Sequence, residues 1–127
     1  MSARSLLFDE NMSDRLRSGL SRRNPDIQTL SIGDEGAPPR GTLDPEILRW
    51  MDAHGYSLVT YNRRSMPRHL DDHVAAGGRV PGLFVINDRT PLGLAIEELL
   101  LICGAGGLDE FADCITHIPL RSSGRRR

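Results

Sequence analysis

Residues 4–15, R-S-L-L-F-D-E-N-M-S-D-R, decide the fold class of this chain. The apolar run at 6–8 is followed directly by two acids, Asp9 and Glu10, and a helical pattern begins after Asn11. A short apolar run that ends in polar residues predicts a buried strand. Ligands of open α/β sheets bind beyond the carboxyl ends of the strands. We therefore expect both acids at the ligand-binding edge of a sheet.

Two adjacent carboxylates at a strand end repel each other, and a bound cation relieves that repulsion. Hard cations such as Mg²⁺ take oxygen ligands, so Asp9 and Glu10 are candidate metal ligands. The alternative interpretation is an ordinary acidic turn in which both carboxylates are solvated. The stretch by itself leaves both interpretations open.

The rest of the chain alternates between strand and helix patterns. Apolar runs predict further strands near 27–32, 57–61, 82–87 and 115–120. Four-residue spacing and capping residues predict helices near 12–23, 44–54, 65–76 and 90–103, and a short helical piece at 108–112. This alternation predicts a three-layer α/β fold, with a mostly parallel central sheet of four to five strands and helices on both faces.

Length and composition favour one domain over residues 1–120, followed by a basic tail at 121–127. All 16 basic residues are arginine, which excludes mechanisms that need a catalytic lysine. We find no pattern of a secretory signal and no apolar run long enough to span a bilayer, so we predict a cytoplasmic protein without a membrane partner. Cys103 and Cys114 form no metal-binding pattern and are predicted to be buried.

Several segments, in this order, resemble the small PIN-like proteins that act as toxins in toxin–antitoxin systems. They are D-E-N at 9–11, L-D-P-E-I-L at 43–48 and L-V-T-Y-N-R-R-S-M at 58–66, followed by similar runs at 66–86 and 93–102. The resemblance extends over nearly the whole chain. It implies a PIN-type fold and a ribonuclease site that depends on a metal ion.

The resemblance also implies which residues form that site. Asp9 and Glu10 match the acids after the first strand, and Asp44 matches the acid at the second helix, with Glu46 two residues further on. The acid that the family carries after the third strand is Asn62 in this chain. An asparagine is a neutral ligand and cannot act as a general base, so this departure weakens metal binding and catalysis more than it affects the fold.

The implied reaction is hydrolysis of RNA phosphodiesters with Mg²⁺ or Mn²⁺, with Asp9, Glu10, Asp44 and Asn62 as the catalytic set and the three acids as metal ligands. The partners that follow are RNA, a small antitoxin protein and a second copy of the chain. A separate set of arginines after the third strand is expected to bind substrate phosphates, namely Arg63, Arg64 and Arg68.

Each of these residues also has a purely structural interpretation. Asp44 is a suitable helix cap, Glu46 a surface acid and Asn62 a turn residue. His69 and His73 share a helix face but lack a third zinc ligand, so we expect a solvated polar face.

Two other functional classes compete with the ribonuclease. The first is a PIN-like module that binds nucleic acid or protein without cutting, which the neutral Asn62 favours. The second is a receiver domain that accepts a phosphoryl group. A receiver needs an aspartate after the third strand and a lysine after the fifth, and this chain has neither.

Overall fold

Five parallel strands form one sheet in the described part of the chain. The structure is a computed structural model, and it describes residues 4–104 and 110–120. The strands are β1 (Ser5–Phe8), β2 (Thr29–Ser31), β3 (Tyr56–Thr60), β4 (Leu83–Ile86) and β5 (Ile115–Ile118), in the order β2-β1-β3-β4-β5. The helices are α1 (Asp14–Arg23), α2 (Asp44–His54), α3 (Met66–Ala75) and α4 (Leu92–Gly104). All four neighbouring pairs are parallel, which confirms the predicted three-layer α/β class.

The sheet has a hydrophobic cluster on each face. Leu6 and Phe8 of β1 point into a cluster with α1 and α4, whereas Leu7 points into the cluster with α2 and α3. Successive residues of a strand face opposite sides of a sheet. An uninterrupted apolar run such as 6–8 is therefore the pattern of a strand that is covered on both faces.

The strand order places a switch point between β1 and β3. From β1 the chain crosses to β2 on one side, and β3, β4 and β5 are then added on the other side. Ligands of doubly wound sheets bind at such a point, beyond the carboxyl ends of the two strands. Several classes of doubly wound protein share this order, so it indicates where a site lies without identifying the family.

The helix starts agree with the predictions only in part. The Ser13 hydroxyl accepts a hydrogen bond from the Arg15 amide (3.1 Å) and caps α1. At α2 the cap position is Leu43, which makes no side-chain capping bond, so the alternative interpretation of Asp44 as a helix cap is wrong. Ser65 makes no capping bond at α3 either. The Asp44 and Ser65 side chains both take part in the site described below.

The remaining predictions fall partly outside the described residues. The basic tail at 121–127 lies outside them, as does most of the short helix predicted at 108–112, and the described residues 110–112 form a turn. Among residues 4–104 and 110–120 we find no helix with the length and apolar character needed to cross a bilayer.

Helix α4 has apolar residues on its exposed side as well as on its buried side. Ile96 and Leu99 are buried against the sheet, whereas Leu94 is 36% exposed and Leu101 is 62% exposed. We predict from the sequence that an antitoxin or a second copy of the chain is a partner. Binding of that partner to this surface of α4 remains a prediction.

The two cysteines differ in their surroundings. Cys103 is half-buried, whereas Cys114 is exposed, so the prediction that both are buried is wrong for Cys114. Burial raises the pKa of the Cys103 thiol to about 11, although the nearby charge of Arg4 acts in the opposite direction. The reactive form of a cysteine is the thiolate, and Cys103 has very little of it at neutral pH.

We therefore expect a thiol reagent at pH 7.5 to modify Cys114 quickly and Cys103 slowly. Mass spectrometry of the labelled protein should show one fast site, and Cys114→Ser should remove it. Equal labelling rates at the two thiols in the folded protein would contradict this prediction.

Candidate functional site

Asp9 lies directly after β1 and is almost completely buried, with 5% of its side chain exposed. Its backbone amide donates to the Val59 carbonyl (2.9 Å), which anchors it to the end of β3. Its Oδ1 accepts a hydrogen bond from the Asn11 amide (3.2 Å), and its Oδ2 accepts bonds from the Thr60 hydroxyl and from Nε of Arg63 (2.9 Å). Both oxygens of this carboxylate therefore have partners within the protein.

Arg63 joins Asp9 to a second carboxylate. Its Nη1 donates to Oδ1 of Asp44, in the first turn of α2, while its Nε is bonded to Asp9. The other oxygen of Asp44 accepts a hydrogen bond from the Ser65 hydroxyl (2.9 Å). We call this arrangement the Arg63 bridge. It brings together the ends of β1 and β3 and the start of α2 at the switch point of the sheet.

The charges of the bridge stabilise one another. Burial acts to raise the pKa of Asp9, but the hydrogen bonds from Arg63 and Thr60 and the charge of Arg63 outweigh it, so this pKa lies below its usual value. Burial of Arg63 acts to lower its pKa, and the bonds and charges of Asp9 and Asp44 raise it above the usual value. Asp9 and Arg63 are therefore both charged at neutral pH.

Glu10 follows Asp9 directly in the sequence, but its carboxylate has a different partner. It is half-buried, and its carboxylate accepts a hydrogen bond from the backbone amide of Gly41 (3.3 Å). Gly41 ends the loop that joins β2 to α2. Arg17 and the Ser31 amide both bond to Asp34 near the start of that loop, each at 2.9 Å. Glu10 thus lies at the edge of the site, against a loop that is held in place at its other end.

Asn62 is exposed, and its side chain makes no hydrogen bond within the described residues. It lines a cleft of about 850 Å³ beyond the carboxyl ends of β3, β4 and β5. The structure therefore joins Asp9 and Asp44 through Arg63, whereas the Glu10 carboxylate bonds to Gly41 and the Asn62 side chain bonds to none of these acids.

The arginines predicted to bind substrate have different positions. Arg63 is bonded to the carboxylates, whereas Arg64 and Arg68 are exposed and form no ion pair with described residues. Glu46 pairs with Arg49 on the exposed side of α2, which agrees with the surface interpretation.

The two histidines of α3 lie away from the carboxylates of the Arg63 bridge. His73 bonds to Asp52 (3.0 Å) on α2, and His69 lines a separate shallow pocket nearby. The His73 side chain is only 13% exposed, so the expected solvated polar face is wrong for this residue.

Two residues of the site were missed in the sequence. The sequence marks Thr60 only as a strand residue and Ser65 only as a residue at the start of a helix. A hydroxyl after or near a strand end is common, so no sequence signal distinguishes these two from other hydroxyl residues. The neighbouring polar run at 62–65 was the only indication that this segment lines a site.

The Asp9–Asp44 pair fits a divalent cation in ligand type. Mg²⁺ prefers oxygen ligands, and it is typically held by one or two carboxylates together with water and substrate phosphates. Within residues 4–104 and 110–120, no group of three or more acids, histidines or cysteines could hold a metal ion. The pair therefore fits Mg²⁺ only if Arg63 moves from between the carboxylates and a ligand from outside the chain completes the coordination.

We expect Arg63→Met to lower the free energy of unfolding by about 2 kcal/mol, because it leaves the buried Asp9 carboxylate without its charged donor. Arg64→Met is the matched control, since Arg64 is the neighbouring arginine and is exposed. Urea denaturation in EDTA would measure both variants. Equal stability of the two would show that the Arg63 bridge contributes nothing to folding.

The chain was compared with family models, curated proteins and solved structures. No protein-family model, no curated protein and no solved structure matches it. The site and the sequence resemblance are therefore what indicates its function.

Proposed function

We propose that this chain is a PIN-like protein of the toxin class, and that it hydrolyses RNA phosphodiester bonds with Mg²⁺ or Mn²⁺ at the Asp9–Asp44 pair. The Arg63 bridge carries the proposal, because it gathers two carboxylates from separate segments around one cationic group at the switch point of the sheet. A cytoplasmic location and a small antitoxin partner are part of the same proposal.

When bound, the metal ion supplies a polarised phosphoryl oxygen and an attacking water of lowered pKa. The Thr60 hydroxyl and the Asn11 amide hold the Asp9 carboxylate in a fixed orientation, and neither bond depends on Arg63. Ser65 does the same for Asp44. The carboxylates therefore keep partners when the guanidinium leaves.

Arg63 has a second role in this proposal. A guanidinium binds phosphate with the same paired geometry that it uses for carboxylate. After its release, Arg63 binds a phosphate oxygen of the RNA next to the acids. Arg64 and Arg68 are exposed on the same segment and bind neighbouring phosphates, which makes RNA binding weaken with rising salt.

A second candidate function is a PIN-like module that binds RNA without cutting it. Two observations favour it: the carboxylates already have a cationic partner in Arg63, and the position of the third acid is the neutral Asn62. RNA binding through the arginines is common to both candidates, and only cleavage separates them.

The test is a cleavage assay on single-stranded RNA with Mg²⁺ or Mn²⁺, run beside a binding assay in EDTA. If the first candidate is right, we expect cleavage products that depend on the metal ion, and Asp9→Asn should abolish them. RNA binding in EDTA should be retained. Binding without products would establish the second candidate. The absence of both binding and cleavage would exclude the two together.

The resemblance puts residue 62 among the metal ligands, so we expect Asn62→Asp to tighten Mg²⁺ binding about fivefold, because a unit charge about 4 Å from the ion would contribute about 1 kcal/mol in water. Cleavage should rise in parallel. Calorimetric titration measures the affinity, and Asn24→Asp, at the far end of α1, is the control for added charge alone. If both variants bind Mg²⁺ as the wild type does, Asn62 is not near the metal position.

We also expect Mg²⁺ to raise the melting temperature of Arg63→Met more than that of the wild type, since the ion and the guanidinium compete for one position. Differential scanning fluorimetry with and without Mg²⁺ measures this. Asp9→Asn in the same background should remove the gain. An identical Mg²⁺ effect on wild type and Arg63→Met would place the metal elsewhere.

A further inference from the structure

The cleft beyond β3, β4 and β5 lies directly beside the acidic site. Tyr61 and Asn62 line it, and the residues on either side of them, Thr60 and Arg63, are bonded to Asp9. The outer two residues of the segment 60–63 therefore contact the acidic site, and the middle two line the cleft. A ligand bound at the acids extends into the cleft if it continues along the carboxyl edge of the sheet.

The residues around the cleft differ in character from those at the acidic site. None of the described residues that line it is an arginine, and it contains one carboxylate, that of the exposed Asp88. A wall of this kind disfavours a phosphate group. It favours a flat, uncharged ligand with polar edges.

The side chains of the cleft supply what such a ligand needs. Tyr61 and His117 provide aromatic surface, and Val85 and Pro119 add apolar surface. The Asn62 carboxamide offers one donor group and one acceptor without a partner in the described residues. Aromatic stacking together with hydrogen bonds to the edge of a base is how proteins recognise unpaired RNA.

We propose that this cleft binds an unpaired nucleobase of single-stranded RNA, in the nucleotide next to the phosphate held at the acidic site. The proposal rests on the proposed function for the identity of the polymer, and on the cleft for the base. The volume of about 850 Å³ is within the range of small-ligand sites and is large enough for a base with its ribose. A duplex does not fit this role, because its bases are stacked and paired.

The test uses the full chain, ¹⁵N-labelled and kept in EDTA so that no cleavage occurs. It is titrated separately with ribose 5-phosphate, with the four nucleoside monophosphates, with a single-stranded hexaribonucleotide and with the matching duplex. We expect the single strand and at least one nucleoside monophosphate to shift the amide signals of Tyr61, Asn62 and Asn87. Ribose 5-phosphate and the duplex should leave these signals in place.

Two variants make the result specific to the cleft. Asn62→Ala and His117→Ala should each weaken binding of the single strand about tenfold. Gln28→Ala is the control, since Gln28 is an exposed carboxamide just before β2, at the other end of the strands. Equal effects of ribose 5-phosphate and the nucleotides, or equal affinity of Asn62→Ala and Gln28→Ala, would overturn the proposal.

The two proposals fail in different ways. If nucleoside monophosphates bind in the cleft and the single strand does not, the site holds free nucleotides, so the nucleobase assignment survives and the RNA function is lost. If the single strand binds only through signals near Arg64 and Arg68, the RNA function survives and the base assignment is wrong.

Discussion

Burial of the Asp9 carboxylate is the constraint on which the site depends. A charge removed from water must be compensated by a partner charge and hydrogen bonds. Arg63 supplies both, and it can do so only when the segment after β3 turns back over the end of β1. The same guanidinium reaches Asp44, so the start of α2 is held at this edge as well. The bonds of Arg63 that compensate for the buried charge therefore also position three segments of the chain.

The bridge also decides what chemistry is open to the site. A pair of carboxylates without a counter-ion would attract any cation, whereas this pair is already neutralised in part. A metal ion can therefore bind here only if it displaces Arg63. Its charge must then compensate for the bonds that Arg63 makes to Asp9 and Asp44. Beside it, Tyr61 and Asn62 face a cleft with no arginine among its described lining residues. The segment 60–63 thus separates a charged half of the edge from a largely uncharged half.

Much of the fold was predictable because the signals are local. The run at 6–8 is apolar at every position, as expected of a strand covered on both faces, and the order of strands and helices follows from such runs and their spacing. The errors arise where two local roles compete. Asp44 is a good capping residue by type, yet it is the first residue of α2, one position after the cap residue Leu43, and its carboxylate bonds to Arg63 and Ser65.

The sequence by itself determined the α/β class, the parallel sheet and the position of Asp9 at its carboxyl edge. These follow from residue spacing and from the geometry of parallel strands. Only the tertiary structure decided the partners of the charged groups. Asp9 and Arg63 are 54 residues apart in sequence, and no local pattern states which arginine reaches a buried carboxylate. That Arg63 bonds to the acids, while Asn62 faces the cleft, depends on how the segment after β3 crosses the edge of the sheet.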